Sequence, residues 1–325
     1  MWDIFTNGDS PTNVTFVDNI AHGLTGALIG YCGFRQRGGR AALWACVAAA
    51  EFPDSDIVLA PWGHETFLHW HRTFTHSVAV LPFWAVLLAW AFWEISGRRD
   101  FRLLFLACAT GIASHIAMDW ATSYGTVLFW PLSNHRFALS WVFIVDVYVW
   151  GLSGIGLLVV LLSRPDRRAS RAKTGLAVVG AYFLMCGVSH VYALHTAVQP
   201  GPGGRIEAYP QPLYPFRWTV LRRDGDEIHW INGSEDATFA DFHDDVLLPK
   251  AEATPAVKLF RWFAGFPLVQ KVDVGGVPVL RYSDLRFRTP MPWGGAVRGR
   301  SFAAVEVVFD GNGHVVSSHW GARRW

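Results

Sequence analysis

The sequence predicts an α-helical polytopic membrane bundle of about six transmembrane helices, followed by a C-terminal, mainly β domain outside the bilayer. Three observations carry this expectation. Long, nearly uncharged runs recur through residues 1–198, and a bilayer core takes roughly 20 mostly apolar residues per helix. Charged residues make up only 17% of the 325-residue chain, against about 25% in soluble domains. From about residue 207 onward the pattern changes to short β-branched and aromatic runs separated by turn signals.

Residues 1–18 are polar and slightly acidic, and no Lys or Arg precedes Arg35. The basic region of a cleavable signal peptide is therefore missing, and the first helix is expected to act as the insertion signal. That helix covers 19–34 and is apolar apart from His22; Gly23, Gly26, Ala27 and Gly30 would let neighbouring helices come close. A second helix spans 41–60 and is interrupted by Glu51-Phe52-Pro53-Asp54-Ser55-Asp56, where Pro53 should end or distort it. A His-rich loop (His64, His69, His71) leads to a third helix over 77–95. The fourth, 103–121, stays apolar until His115 and Asp119. A loop over 122–138, punctuated by Gly and Pro, precedes the fifth helix, 141–162, whose one carboxylate is Asp146. The sixth covers 175–195.

Gln199-Pro200-Gly201-Pro202-Gly203-Gly204 has a linker composition. The expected division is thus a transmembrane domain over 1–198, a linker over 199–206 and an extracytoplasmic β domain over 207–325. Two hairpins are legible in it. Runs at 216–221 and 227–231 flank Asp224-Gly225, and runs at 305–309 and 314–318 flank Asp310-Gly311-Asn312-Gly313.

Charge sets the expected orientation. The turns after helices one, three and five hold eleven Lys and Arg (35, 37, 40; 98, 99, 102; 164, 167, 168, 171, 173), while the alternate loops hold two, Arg72 and Arg136. By the positive-inside rule both termini and the β domain lie on the extracytoplasmic side. His22, Asp54, Asp56, His71, His76, His115, Asp119 and Asp146 then all fall at outer helix ends. Ionisable groups in membrane segments are costly and usually functional, so this one-sidedness points to a common site. Net charge of +2 provides no basic field for nucleic acid. The lipid bilayer is the expected partner, with a lipid or other amphiphilic substrate. Cys32, Cys46, Cys108 and Cys186 lack CxxC spacing and read as free buried thiols.

His115 and Asp119 are four residues apart, on one helix face. Asp54 and Asp56 in a distorted segment can chelate or bridge, and His71 and His76 supply further imidazoles. With His22 these seven form a mixed His/Asp set suited to a divalent metal, one ion or two: zinc, or manganese with more oxygen ligands. Such ions clamp an in-line displacement at phosphorus or carbonyl carbon, and Arg72 and Arg136 could hold an anionic substrate group. Plainer readings stand beside these. His22 could make an interhelical hydrogen bond, Asp54 could cap a helix, His115 and Asp119 could be a structural couple, and Asp146 could pair with an Arg. His64-Glu65 does not continue into HExxH, since Leu68 stands where the second His would be.

The motifs Asp18-Asn19-Ile20-Ala21-His22, Phe52-Pro53-Asp54-Ser55-Asp56, Trp70-His71-Arg72-Thr73-Phe74-Thr75-His76-Ser77, His115 with Asp119 and Tyr124-Gly125, and Phe143-Ile144-Val145-Asp146 occur in this order. Together they resemble the bacterial inner-membrane family of membrane-bound metal-dependent hydrolases, the YdjM-like group, over roughly residues 16–150. The resemblance implies a multi-pass inner-membrane protein with a metal site and hydrolase activity. It adds Tyr124 to Arg72 and Asp56 as candidate catalytic residues. Ser140 and Val147 depart from the pattern, which often has Asp and Pro there. The leading expectation is a hydrolase of an ester or phosphoester at the outer face. The alternatives are a metal- or proton-linked transporter and a structural envelope protein.

Overall fold

The computed structural model describes residues 12–97, 100–233, 236–244, 246–288 and 303–321. Arg98 and Arg99 of the expected basic turn lie outside the described residues. The chain separates into two compact units, Pro11–Val188 and Ser189–Trp325, the boundary falling near the end of one long helix.

The first unit is helical. Helix α1 (Thr12–Ile29) starts seven residues before the expected boundary, which puts His22 in its middle and not at its end. A short wide turn of helix at Gly30–Phe34 leads into α2 (Arg35–Glu51). Gly33 (φ 146°) and Gly39 (φ 67°) let the chain reverse between them, in a region that residues with a Cβ seldom enter. After Glu51 the chain tightens into a 3-10 segment, Phe52–Trp62, with Pro53 at its start, as its missing amide requires. A short α3 (His64–Trp70) follows, then α4 (Leu81–Ile95) and α5 (Phe101–Ala121).

Residues 122–146 are irregular, joined by single bridges between Thr122 and Val142 and between Thr126 and Phe137. The fifth helix therefore begins at 147, not 141. Asp146 caps α6 (Val147–Leu162) by accepting from the amides of Tyr148 (2.9 Å) and Val149 (3.2 Å). Helix α7 (Arg168–Thr196) starts a full two turns earlier than hydropathy indicates, because its basic first turns are helix formers that hydropathy does not register.

Two helical stretches, Phe101–Ala121 and Pro165–Thr196, are long and apolar enough to cross a bilayer; Leu81–Ile95 and Val147–Leu162 are shorter apolar helices. Large apolar side chains stay exposed along α4 (Phe83, Val86, Trp90), α6 (Ile155, Leu158, Leu162) and α7 (Leu184, Val188). In water such surface would be an aggregation hazard. Where helices meet, small residues face one another. A Cβ on Gly111 would stand 2.6 Å from the Cys46 carbonyl oxygen, and one on Gly26 would stand 2.7 Å from the Ala50 Cβ. These contacts draw α1, α2 and α5 together around a core of Cys46, Ala49, Cys108 and Ile112. The four cysteines are free.

The second unit holds two antiparallel four-stranded meanders. The first comprises β1 (Arg205–Gln211), β2 (Tyr214–Asp224), β3 (Glu227–Ile231) and β4 (Ala237–Ala240). Helices α8 (Leu247–Glu252) and α9 (Pro255–Phe263) separate it from β5 (Pro267–Val274), β6 (Val277–Asp284), β7 (Ala304–Phe309) and β8 (Val315–Trp320). Both expected hairpins form, with Asp224 opposite Glu227 and Phe309 opposite Val315. In the second, the Asp310 carboxylate accepts from the amides of His314 (2.8 Å) and Asn312 (2.9 Å). The His314 amide in particular holds that carboxyl below the usual range. The sheets share a core of Leu221, Ile228, Trp230, Phe266 and Leu268, and α9 packs Val257 and Phe260 onto β5–β8.

Candidate metal centre

Chain geometry puts free hydrogen-bonding groups where the site forms. Because α2 gives way to the 3-10 segment, the Ala50 carbonyl is not spent on a continuing α-helix. It accepts instead from Nδ1 of His115 (2.6 Å). A carbonyl only accepts, so the His115 proton sits on Nδ1 and the lone pair on Nε2.

His76 is fixed in the same sense. Thr75 Oγ1 donates to Asp56 Oδ2 (3.0 Å), so it can only accept from His76 Nδ1, 2.9 Å away. When both rings are neutral, the Nε2 atoms of His76 and His115 therefore present lone pairs to each other, 3.0 Å apart. Asp119 Oδ2 lies 3.0 Å from the first and 3.3 Å from the second, and Asp54 Oδ1 lies 3.5 and 3.6 Å away. Donor atoms of these four residues all fall within 4.8 Å of one another, and all four side chains are buried. Among the described residues no hydroxyl or amide donates to Asp119 Oδ2, which faces the two Nε2 atoms.

Donor atoms so placed repel unless a proton or a metal cation lies among them. The separations match what one would impose: tetrahedral ligands about 2.0–2.1 Å from zinc stand about 3.3 Å apart. The residues therefore fit a divalent ion.

The remaining candidates surround this quartet. Asp56 takes part in a second group with Asp54 and His71, so that Asp54 is common to both. Its Oδ1 accepts from His71 Nδ1 (2.8 Å), and its Oδ2 also accepts from the Arg72 amide (3.1 Å). Arg72 adopts φ 59°, a strained value for a residue with a Cβ, held by that amide bond and by its carbonyl accepting from Val127 (2.9 Å). Its guanidinium is buried on Asp119 Oδ1 (2.8 Å) and donates to Thr122 Oγ1 (2.9 Å). It is thus engaged with the site's own carboxylate, steering Oδ2 toward the imidazoles. Arg72 and Arg136 both stand over the Tyr124 ring, at 4.8 and 5.3 Å.

His22 joins neither group. Its ring stacks on His115 with centroids 3.7 Å apart, its Nε2 is 3.5 Å from Asp119 Oδ1, and its Nδ1 is buried without a hydrogen-bond partner among the described residues. Among the described residues Asp146 pairs with no arginine; beside capping α6 it accepts from the Tyr182 hydroxyl (2.7 Å). His190 donates to the Ala208 carbonyl (3.1 Å) and is tied into the second unit.

Sequence reasoning passed over Thr75, Thr122 and the Ala50 carbonyl, which orient the site without carrying a ligand signature. It also passed over Glu51, whose carboxylate reaches the space left open by Gly23: a Cβ there would stand 2.6 Å from Oε1. The Glu51-Asp54 spacing, one turn apart, was the available signal. Partners that orient a metal-binding imidazole typically govern affinity by about 10–100-fold. Thr75→Val is expected to weaken divalent-metal binding by about that factor with the fold retained. Competition against a chelator of known affinity checks this, and unchanged affinity would refute the assigned role.

Comparisons with known proteins bear on the helical unit. The uncharacterized protein YfhP of Bacillus subtilis (strain 168) is 28% identical over 110 residues, a stretch covering 34% of this chain and 34% of YfhP. The chain thus matches only about a third of that relative's length. No solved structure matches. The family model for the YdjM inner membrane protein matches residues 17–193, the stretch that contains every residue of the quartet. More than half of the chain is covered, and it belongs to the YdjM inner membrane protein family.

Proposed function

We propose that the protein is a multi-pass inner-membrane hydrolase that uses one or two divalent ions to cleave a phosphoester or ester, lipid-like in character, at the outer face of the membrane. One observation carries this reading. Two imidazole Nε2 atoms and two carboxylates, drawn from the 3-10 segment, the following loop and α5, converge within 4.8 Å of one another, all buried. Two nitrogen and two oxygen donors suit zinc, and the sharing of Asp54 between two groups suits a second ion.

In this reading α1, α2 with its 3-10 extension, α4, α5, α6 and α7 are the six crossings. The eleven-to-two bias of Lys and Arg between alternate turns supports termini, site and β domain on the outer side. The apolar surface left exposed on α4, α6 and α7 faces lipid.

A divalent ion bound here supplies Lewis acidity toward a phosphoryl or acyl oxygen and makes water a competent nucleophile at neutral pH. The protein's own residues do the rest. Asp56 fixes His71 and, through Thr75, the tautomer of His76. Arg72 holds Asp119 in place and adds positive charge beside the reacting centre. Arg136, donating to the Gly125 carbonyl (2.7 Å) and standing over Tyr124, is placed to attract an anionic group from the loop side.

The test is hydrolysis by purified protein in nanodiscs, with short- and long-chain phosphoesters and acyl esters. The expected result is product release that a chelator abolishes, that zinc or manganese restores, and that Asp119→Asn lacks. Hydrolysis unaffected by chelator and by Asp119→Asn would contradict the proposal.

A further inference from the structure

The first hairpin of the second unit differs from the others at its tip. The turn after β2 carries Asp224-Gly225-Asp226, the turn after β5 carries Gly275-Gly276 beside Asp273, and the turn after β7 carries Asp310-Gly311-Asn312-Gly313. The tip between β1 and β2 reads Pro212-Leu213-Tyr214-Pro215-Phe216-Arg217, with neither an acidic residue nor a glycine. Leu213 stands at φ 63°, a conformation that favours Gly, Asn or Asp, yet the position holds a large apolar side chain. Tyr214 and Phe216 are exposed, Phe216 by 52%. Arg217 is exposed as well, and its guanidinium stands over the Tyr214 ring at 4.6 Å.

Contacts with α7 give this hairpin a direction. The Gly201 amide, in the linker just past α7, donates to Asp224 Oδ1 (2.9 Å) at the far end of β2. Nearer the tip, His190 donates to the Ala208 carbonyl (3.1 Å) and the Trp218 indole donates to Ser189 Oγ (2.9 Å). Ser189 precedes the end of α7 at Thr196 by seven residues, about 10 Å along a helix. From Asp224 through Trp218 to Tyr214 the hairpin thus runs back along α7, in the direction of its apolar stretch. That helix is long and apolar enough to cross a bilayer, and Val191 and Tyr192 near Ser189 are exposed on it.

We propose that the β1–β2 tip is a membrane anchor: Leu213, Tyr214 and Phe216 enter the interface of the outer leaflet, and Arg217 meets lipid phosphate. The inference rests on α7 as a crossing with the β unit outside, and not on the hydrolase chemistry. Aromatic side chains gather at headgroup depth, where one end of the ring is apolar and the other wet. An arginine there can bury its stem and keep a forked donor at the phosphates. Successive hairpins of a meander point to opposite ends, so the acidic Asp224-Gly225-Asp226 turn lies away from the lipid. Other occupants fit less well. A protein partner held by these few side chains falls far short of the roughly 1,200–2,000 Å² of a stable interface. A soluble anion would use Arg217 and leave Leu213 and Phe216 in water.

Photocrosslinking of the full chain tests this, in nanodiscs of phosphatidylethanolamine and phosphatidylglycerol. The analogue p-benzoylphenylalanine replaces Phe216 in one sample, Tyr214 in a second and Asp226, at the other end of the same sheet, in a third. Mass spectrometry then counts phospholipid adducts. Adducts at 216 and at 214 are expected to exceed those at 226 by at least about tenfold, the partition that one buried phenylalanine supports. Adding Phe216→Ser to the second sample is expected to lower its adducts several-fold. Hydrogen exchange across β1–β3 verifies that each sample keeps the hairpin. Adducts at 216 and 214 no more abundant than at 226, or a yield at 214 indifferent to Phe216→Ser, would overturn the proposal. So would crosslinks made mainly to a second copy of the chain, which would assign the tip to a protein interface. Neither metal nor activity enters the readout, so this failure is distinct from a failure of the hydrolase reading.

Discussion

Replacing Asp119 by alanine is expected to lower the stability of the helical unit by about 3–5 kcal/mol even in chelated protein. Asp119 and Arg72 are 1% and 2% exposed, and the guanidinium rests on Oδ1 at 2.8 Å. Removing the carboxylate takes the 2.8 Å counter-charge away from a buried guanidinium that keeps its contacts with Thr122 and the Tyr124 ring. Breaking a buried pair costs more than the pair's own net worth, because the surviving charge keeps its desolvation penalty. Adding Arg72→Met to Asp119→Ala should therefore recover part of the loss. Denaturant titration in mixed micelles measures both. A loss below about 1 kcal/mol, the scale of an exposed pair, would show that Arg72 reaches water and that the site is more open than described.

The second large effect belongs to the β unit. Asp284 is fully buried at the end of β6 and accepts from the amides of Gly265 (2.9 Å), Phe266 (3.1 Å) and Arg286 (3.1 Å). It also pairs with the Arg286 guanidinium at 2.7 Å, which donates in turn to the Phe263 carbonyl (2.7 Å). One carboxylate thus fastens the turn between α9 and β5 to the end of β6. Asp284→Ala removes the acceptor of three amides and the counter-charge of a buried guanidinium together, and the expected cost is about 3–5 kcal/mol. Hydrogen exchange should show loss of protection across β5–β8, while the metal content of the helical unit stays at the wild-type level. Retained protection in β5–β8 would refute the role given to Asp284.

Much of the site was legible in the sequence because the signals were local. His115 and Asp119 share a helix face by spacing alone, and both hairpins announce themselves through Asp-Gly pairs between β-branched runs. Pro53 marks where helix ends, and the two nearby carboxylates follow from that. What escaped depended on tertiary context. The start of α6 is set by the Asp146 cap, which hydropathy does not register. Arg72 looked like a substrate clamp because its partner, Asp119, is distant in sequence. The tautomers of His76 and His115 rest on Thr75 and a backbone carbonyl, groups with no ligand character of their own.

The metal content of the full-length protein, purified without chelator and measured by inductively coupled plasma mass spectrometry beside a His115→Ala variant, is the most direct test of the central claim. About one to two equivalents of zinc or manganese per chain are expected in wild type, and almost none in the variant. Equally low metal in both, after incubation with either ion, would contradict the account.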